Sequence, residues 1–370
     1  MLPGEHHQAA AAPSRLGIRR SVGEPSIATS PKKILILKPS SLGDVVQALP
    51  VLRLLKLRFP QANISWWVES SLIPLLEGDP DLEEVIPFER KALLRWAGLR
   101  GLASSVRRMR EERFDWILDL QSLARSAAVS WLANGAFTIG LEDRREGAAA
   151  LHDVSVPRRS ASTHAVDWYL DVLRFLDVPV HERFEWLPAR PDIARQIGEK
   201  WPVSGRSWIC LQPGARWMNK RWPIRHFQEL MRQLARQHPG LGFAIMGSRE
   251  DQDLGAQLAA ALPGGSVIDL TGRTSLVEMV EWLRQCKVMI TNDTGPMHVA
   301  AALGKPVVGL FGPTDPRRTG PYGQVDRALQ LSLPCTPCLK ARCHYSTPME
   351  CLHGLSSARV VEQVQALGQL

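Results

Sequence analysis

KILILKPSSLGDVVQALPVLRLLKLRF, Lys33 to Phe59, opens with aliphatics rich in β-branched Ile, breaks at Pro39, Ser40, Ser41 and Gly43, and continues as an apolar stretch of helical length. It reads as strand, turn and helix. The pattern repeats downstream: ISWWV (Ile64 to Val68) as a strand, a short helix near Leu72, Glu84 to Phe88 as a strand, Lys91 to Arg113 as a helix, and Trp116 to Leu120 as a strand. Alternating strands and helices predict an α/β fold, a parallel sheet with helices on its faces.

Between Asp143 and Arg190 the periodicity weakens, and Arg144, Arg145, Arg158 and Arg159 cluster before a helix near Val166 to Phe175. Pro179, Pro188 and Pro191 then punctuate the chain, which places a domain boundary there. A second alternating series follows. Its strands are expected at Trp208 to Gln212, Gly242 to Met246, Val267 to Leu270, Val288 to Thr291 and Val307 to Phe311. Helices are expected between them from Pro223, Gln252, Leu276 and Pro296, with a last one over Ser356 to Leu370. The expected organisation is a disordered tail over 1–30, one domain over 31–188 and a second over 189–370.

The 370 residues suffice for two domains, and 45% hydrophobic with 22% charged residues excludes a disordered, collagen-like or coiled-coil chain. A net charge of +8 favours polyanionic partners such as nucleic acid, an anionic membrane surface or phosphorylated substrates, without choosing among them. No apolar run approaches the ~20 residues of a membrane span, and Ala9 to Ala12 is too short for a signal peptide. A cytoplasmic protein is therefore expected. Six cysteines in such a chain predict reduced thiols or a metal site rather than a disulfide framework.

Three loops carry candidate chemistry. KPSSLGD (Lys38 to Asp44) lies at the carboxyl end of the first strand, where doubly wound folds hold ligands, and Ser41 or Asp44 there suits either helix capping or catalysis. QPGARWMNKRWP (Gln212 to Pro223) gathers Arg216, Lys220 and Arg221 after a strand, a phosphate-binding set or a solvated basic loop. In TNDTGPMHVAAALGKPVVGLFGPTDP (Thr291 to Pro316), Asp293, Thr294 and Gly295 precede Pro296 at a helix start, the arrangement of an anion site. Alone, DTG is also an ordinary N-cap and His298 an ordinary core histidine. Neither G-x-G-x-x-G nor G-x-x-x-x-G-K-[ST] occurs, which disfavours a dinucleotide dehydrogenase and a P-loop NTPase.

Taken together with NKRWP and the CTPC tail, these motifs make the sequence from Lys32 onward resemble the lipopolysaccharide heptosyltransferases of glycosyltransferase family 9. The resemblance implies a GT-B architecture, two Rossmann-like doubly wound domains facing across a cleft, acceptor in the first and nucleotide sugar in the second. It implies inverting transfer of a heptose from ADP-heptose to the lipopolysaccharide inner core, with no cofactor and no required metal. By position it makes Asp44 the catalytic base. Lys220 meets the diphosphate, and Asp293, Thr294, Gly295 and His298 surround the phosphates. Glu250 in MGSRED holds the ribose, a role Asp251 or Asp253 could also fill.

The helix Lys91 to Arg113 is basic and amphipathic, suited to anionic lipid, to acidic sugars or simply to solvent. With a lipid A/Kdo-type acceptor the resemblance makes Ser41, Arg107, Arg108 and Arg125 acceptor-side candidates and adds peripheral contact with the inner face of the inner membrane. Nucleic acid is not an expected partner. The late cysteines, Cys335, Cys338, Cys343 and Cys351, have only a loose zinc-knuckle spacing, and packing is the competing role. The alternatives to this reading are a family 9 transferase with another sugar or acceptor, and a catalytically silent polyanion-binding member of the fold.

Overall fold

The computed structural model describes residues 30–89, 96–143, 146–181, 184–201, 203, 205–262 and 264–369. The expected tail up to residue 29, the start of the basic helix at Lys91 to Arg95, and Arg144 and Arg145 lie outside the described residues.

Among the described residues there are two six-stranded sheets. The first contains β1 (Lys33–Leu37), β2 (Asn63–Glu69), β3 (Glu84–Phe88), β4 (Trp116–Asp119), β5 (Phe137–Leu141) and β6 (Val154–Val156). Its order is β3-β2-β1-β4-β5-β6. The second contains β7 (Ser207–Gln212), β8 (Leu241–Ile245), β9 (Val267–Asp269), β10 (Val288–Asn292), β11 (Val307–Phe311) and β12 (Ala328–Gln330), in the order β12-β11-β10-β7-β8-β9. Every pairing is parallel. Each sheet has the doubly wound order, with its switch point between β1 and β4 or between β7 and β10.

The strand sequences explain this. β1, β5, β8, β10 and β11 are near-continuous buried apolar runs, as strands covered on both faces must be. Two strands and one helix of the first sheet, β5, β6 and the helix Ala124–Ala133, were not among the sequence expectations. The helix is rich in Ala and Ser and has little amphipathic pattern to read. It ends at Asn134 in the left-handed conformation, and the chain then passes Gly135, where a Cβ would press on the Ile117 side chain at 2.7 Å. β6 and β12, three residues each, are edge strands too short to show alternation.

The chain divides into two compact units. One holds residues up to Ser40 together with Pro50–Arg159 and Asp167–Glu182; the other holds Ser41–Leu49, Ser160–Val166 and Arg183–Leu370. The first helix, Leu42–Arg58, is shared between them, and the division falls at Pro50, which lies inside that helix and lacks the N–H its ladder would use.

In the first unit Leu35, Leu37, Trp67, Ile86, Phe88 and Met109 form the apolar centre. Arg53 is also buried, its guanidinium held by Asp79 and Asp81 at 2.6 Å each. In the second unit the helix Ile224–Gln237 buries Phe227, Leu230, Met231 and Leu234, the i, i+3, i+4, i+7 stripe of an amphipathic helix, and leaves its cations outward. Ser275 and Glu278 form a capping box at the start of the helix Leu276–Gln285.

The cysteine count favoured reduced thiols or a metal site over a disulfide framework, but Cys210 and Cys286 are joined as a disulfide with a Cα–Cα distance of 6.2 Å. β7 and β10 pair Ile209 with Val288, and Lys287 N–H donates to the Trp208 carbonyl at 2.8 Å, so the end of the helix Leu276–Gln285 arrives beside Cys210. The residues are 76 apart in sequence, and only the sheet register brings them together.

Candidate active site

The second sheet's switch point lies between β7 and β10, and the loops that leave their carboxyl ends are Gln212 to Pro223 and Asn292 to Gly295. Asn292, fully buried, ties them together: its amide donates to the Pro213 carbonyl at 2.7 Å and accepts from the Trp222 N–H at 3.0 Å. Both loops are therefore fixed relative to the sheet.

On this frame Lys220 Nζ lies 2.6 Å from Asp293 Oδ2 and 4.8 Å from the centre of the Trp217 ring. The same carboxylate oxygen accepts from the Thr314 hydroxyl at 2.6 Å. Thr314 belongs to the GPTDP loop after β11, whose carbonyls at Gly312 and Thr314 are held by the Gln330 amide. Asp293 thus orients a half-buried ammonium, and Thr314 orients Asp293.

The helix Gly295–Ala302 begins next to this pair. Its N-cap Thr294 makes no side-chain capping bond, and Pro296 occupies the first turn without an N–H to satisfy. Thr294 and Pro296 line a cavity of about 440 Å³ together with Arg216, Arg221, Glu250, Met246, Met279 and Ser275. The lining combines apolar side chains with two arginines, and the exposed Glu250 supplies a carboxylate. Of the three acidic candidates in this stretch, Asp251 is buried and accepts from the Ser248 N–H and hydroxyl at 2.9 Å each, so it is occupied as a cap. Asp253 does not line the cavity.

The segment Ser41–Leu49, which opens the first helix, belongs to the same compact unit as these loops. Ser41 gives Asp44 Oδ2 its backbone N–H at 2.9 Å and its hydroxyl at 2.7 Å, a back-reaching cap from the third residue of the helix. Gly43 is required here: a Cβ would run into the His298 ring. Gly295 packs on Leu42 in the same way, a Cβ there meeting its side chain at 3.1 Å. His298 is buried, its Nδ1 3.1 Å from Gln47 Nε2, and burial pushes its pKa down to about 4. The carboxylates of Asp293 and Asp44 oppose that shift, and His164 and Lys220 add to it.

Asp44, Ser41, Lys220, Glu250, Asp293, Thr294, Gly295 and His298 all fall within this unit. The three arginines lie in the other. Arg125 is exposed at the start of the helix after β4, on the carboxyl edge of the first sheet. Arg107 and Arg108 are not beside it. Arg107 pairs with Glu111 at 2.8 Å, and Arg108 pairs at 2.6 Å with Glu84, the first residue of β3 and so at the amino edge. Sequence reasoning missed Gln47, Thr314 and Trp217. Thr314 had a signal, the small residues of the GPTDP loop that follows the β11 strand at the same sheet edge; Gln47 had none.

The segment that carries the tail cysteines is tied to this site through its backbone. Cys335, Cys338 and Cys343 are half-buried, Cys351 is buried, and burial followed by the neighbouring thiols pushes its pKa up to about 11. Their segment donates Leu339 N–H to the Pro313 carbonyl at 2.7 Å and accepts the Asn219 amide at the Lys340 carbonyl at 2.8 Å. Among the described residues no three His, Cys, Asp or Glu side chains are grouped to hold a metal ion.

Comparison with known proteins matches residues 102–348 to the family model described as glycosyltransferase family 9 (heptosyltransferase). The chain is 33% identical over 319 residues to lipopolysaccharide heptosyltransferase 2 of Salmonella typhimurium, covering 81% of this chain and 88% of the relative. It is 28% identical over 363 residues to lipopolysaccharide heptosyltransferase 1 of Pseudomonas aeruginosa, covering 90% and 98%. Among solved structures, the ADP-heptose lipopolysaccharide heptosyltransferase II of E. coli superposes with a TM-score of 0.73 at 28% identity, covering 90% of this chain and 98% of that one.

Proposed function

The chain belongs to glycosyltransferase family 9, the heptosyltransferases, and from that premise we propose that it transfers a heptose from ADP-heptose to the inner core of a lipopolysaccharide precursor with inversion at the anomeric carbon. The protein is a glycosyltransferase with the paired Rossmann-like sheets of the GT-B fold. The observation that carries the substrate reading is a cavity lined by Glu250, two arginines, two methionines and a helix N-terminus. A carboxylate suits ribose hydroxyls, methionines suit a purine face, and cations with free helix N–H groups suit a diphosphate.

In this scheme Asp44 takes the proton of the acceptor hydroxyl as that oxygen attacks the anomeric carbon from the face opposite the diphosphate. The C–O bond to ADP breaks as the new glycosidic bond forms. The leaving diphosphate gathers negative charge, which Lys220, the N–H groups at Thr294 and Gly295, and His298 receive. Asp293 and Thr314 hold the Lys220 ammonium in place. A nucleoside diphosphate met by such a cradle needs neither a general acid nor a metal ion to depart.

On the acceptor side, Ser41 lies beside Asp44 and Arg125 at the carboxyl edge of the first sheet is a contact for phosphate or carboxylate groups of the inner core. Arg107 and Arg108 at the other edge serve an anionic membrane surface, placing the enzyme peripherally at the inner face of the inner membrane; no helix among the described residues is long and apolar enough to cross a membrane. Acceptor-dependent release of ADP from ADP-heptose, measured with Kdo-bearing lipid A as acceptor, tests the reading. Absence of release with every inner-core acceptor, with folded protein that binds ADP, would leave a polyanion-binding protein instead.

A further inference from the structure

Gln47 has no assigned role in the scheme above, yet it is buried and its carboxamide meets the His298 ring across 251 residues of sequence. Gly43 and Gln47 are four apart on one helix and so share a face. That face supplies both the space that admits the ring and the group that fixes its orientation: a Cβ at Gly43 would displace the ring, and the Gln47 amide is 3.1 Å from Nδ1.

We propose that Gln47 is a positioning residue that holds His298 as the tautomer with its proton on Nε2, so that the ring presents a fixed N–H donor to the phosphate cradle. The carboxamide nitrogen only donates. Nδ1 must then be the accepting nitrogen, and a neutral imidazole carries its single proton on the other. The ring stays neutral because desolvation outweighs Asp293 and Asp44, while His164 and Lys220 act in the same sense as desolvation. Tautomer choice therefore decides what the phosphates meet. Nε2–H offers them a hydrogen bond; a bare Nε2 would aim a lone pair at anionic oxygens. The inference rests on the proposed donor site for its catalytic consequence, but not for the tautomer itself.

The test uses Gln47→Glu and Gln47→Met in the full chain, with ¹⁵N-labelled histidine and the His298 signal assigned by its loss in His298→Gln. In the parent, His298 should show a protonated Nε2 and a bare Nδ1. In Gln47→Glu the carboxylate accepts from Nδ1–H, so the neutral ring carries its proton there and Nε2 is bare until the ring is charged. Transfer by this variant should fall by about tenfold or more at the alkaline end and recover as pH is lowered through the raised pKa of its ring, a limb the parent lacks. Gln47→Met, which offers no partner, should lose the single tautomer without gaining that limb, and it keeps the inference testable if Gln47→Glu does not fold. A parent ring protonated on Nδ1, or pH–rate curves of parent and Gln47→Glu that superpose after scaling, would overturn the proposal. If no form of the protein transfers heptose, the proposed function fails while the nitrogen spectra still decide the role of Gln47.

Discussion

Ser41 donates both its backbone N–H and its hydroxyl to one carboxylate oxygen of Asp44, at 2.9 and 2.7 Å. Asp44 is therefore a helix cap, and its proposed role as base is an addition to that one. The two roles separate in Asp44→Asn, whose side-chain oxygen still accepts from Ser41. Loss of a cap alone costs about 1 kcal/mol with turnover kept in the folded fraction. Loss of the base should lower kcat by about 10² to 10⁴ at an unchanged melting temperature. Turnover within a few-fold of the parent would make Asp44 a cap only and send the search for the base elsewhere.

Lys220 is the ammonium that Asp293 and Thr314 hold in register. Lys220→Ala should weaken ADP binding by about 1.5 to 3 kcal/mol, the range of a hydrogen bond to a charged group. Thr314→Val should weaken it less, because the ion pair survives without its second anchor. Calorimetric titration of ADP reads both, and equal affinity in parent and Lys220→Ala would remove the lysine from the site.

Much of this was legible in sequence because it is local. The turn after β1, the cations after β7 and the DTG turn after β10 each fall within a dozen residues, and strand–loop–helix order alone places them at the carboxyl edges of sheets. What escaped is what depends on register between distant segments. The Cys210–Cys286 disulfide follows from the pairing of β7 with β10, and the contact of Gln47 with His298 joins the first helix to one near residue 300. The basic helix shows the same limit: Arg108 is legible in the helix, but its partner Glu84 lies on β3, so part of the helix's positive charge is neutralised by a residue distant in sequence.

Arg125 and the pair Arg107 and Arg108 lie at opposite edges of the first sheet, and their variants should differ in kind. Arg125→Gln should raise the acceptor KM with vesicle association unchanged. Replacing Arg107 and Arg108 with Gln should reduce co-sedimentation with anionic vesicles, an effect that added salt reproduces in the parent. Stability should hardly move with Arg107→Gln, since the Arg107–Glu111 pair is exposed and screened by water. A shared effect on KM from all three arginines would place them on one surface and refute this division.

Arg53 and Asp79 are buried together, and Asp81 shares the guanidinium. Arg53→Met removes the cation and strands a carboxylate out of water, which should cost about 3 to 5 kcal/mol in urea unfolding. Arg53→Met with Asp79→Leu should regain much of that loss, because the fully buried carboxylate is gone and the one that remains, Asp81, is partly exposed to water. A double variant no more stable than the single would mean that the cost lies in packing around the Arg53 stem.

His298 should leave a signature in the pH dependence of stability. Its folded pKa, pushed down to about 4 by burial, lies below the ordinary histidine value of 6.5, so between these two values the unfolded chain binds the proton and the folded protein resists it. Stability from this group is thus undisturbed above about pH 7, falls as pH drops through 6.5, and reaches its full loss only below about pH 4. Between pH 7 and pH 5 the loss should be about 2 kcal/mol. His298→Gln has no proton to take up, so its unfolding free energy should fall less than the parent's over that interval, whatever its absolute stability. Chemical unfolding of the two proteins at pH 5, 6 and 7 measures the difference directly. Parallel curves would mean that the folded protein accommodates the charged ring, through Asp293 and Asp44, and that the neutral donor assigned to the phosphate cradle does not exist in this pH range.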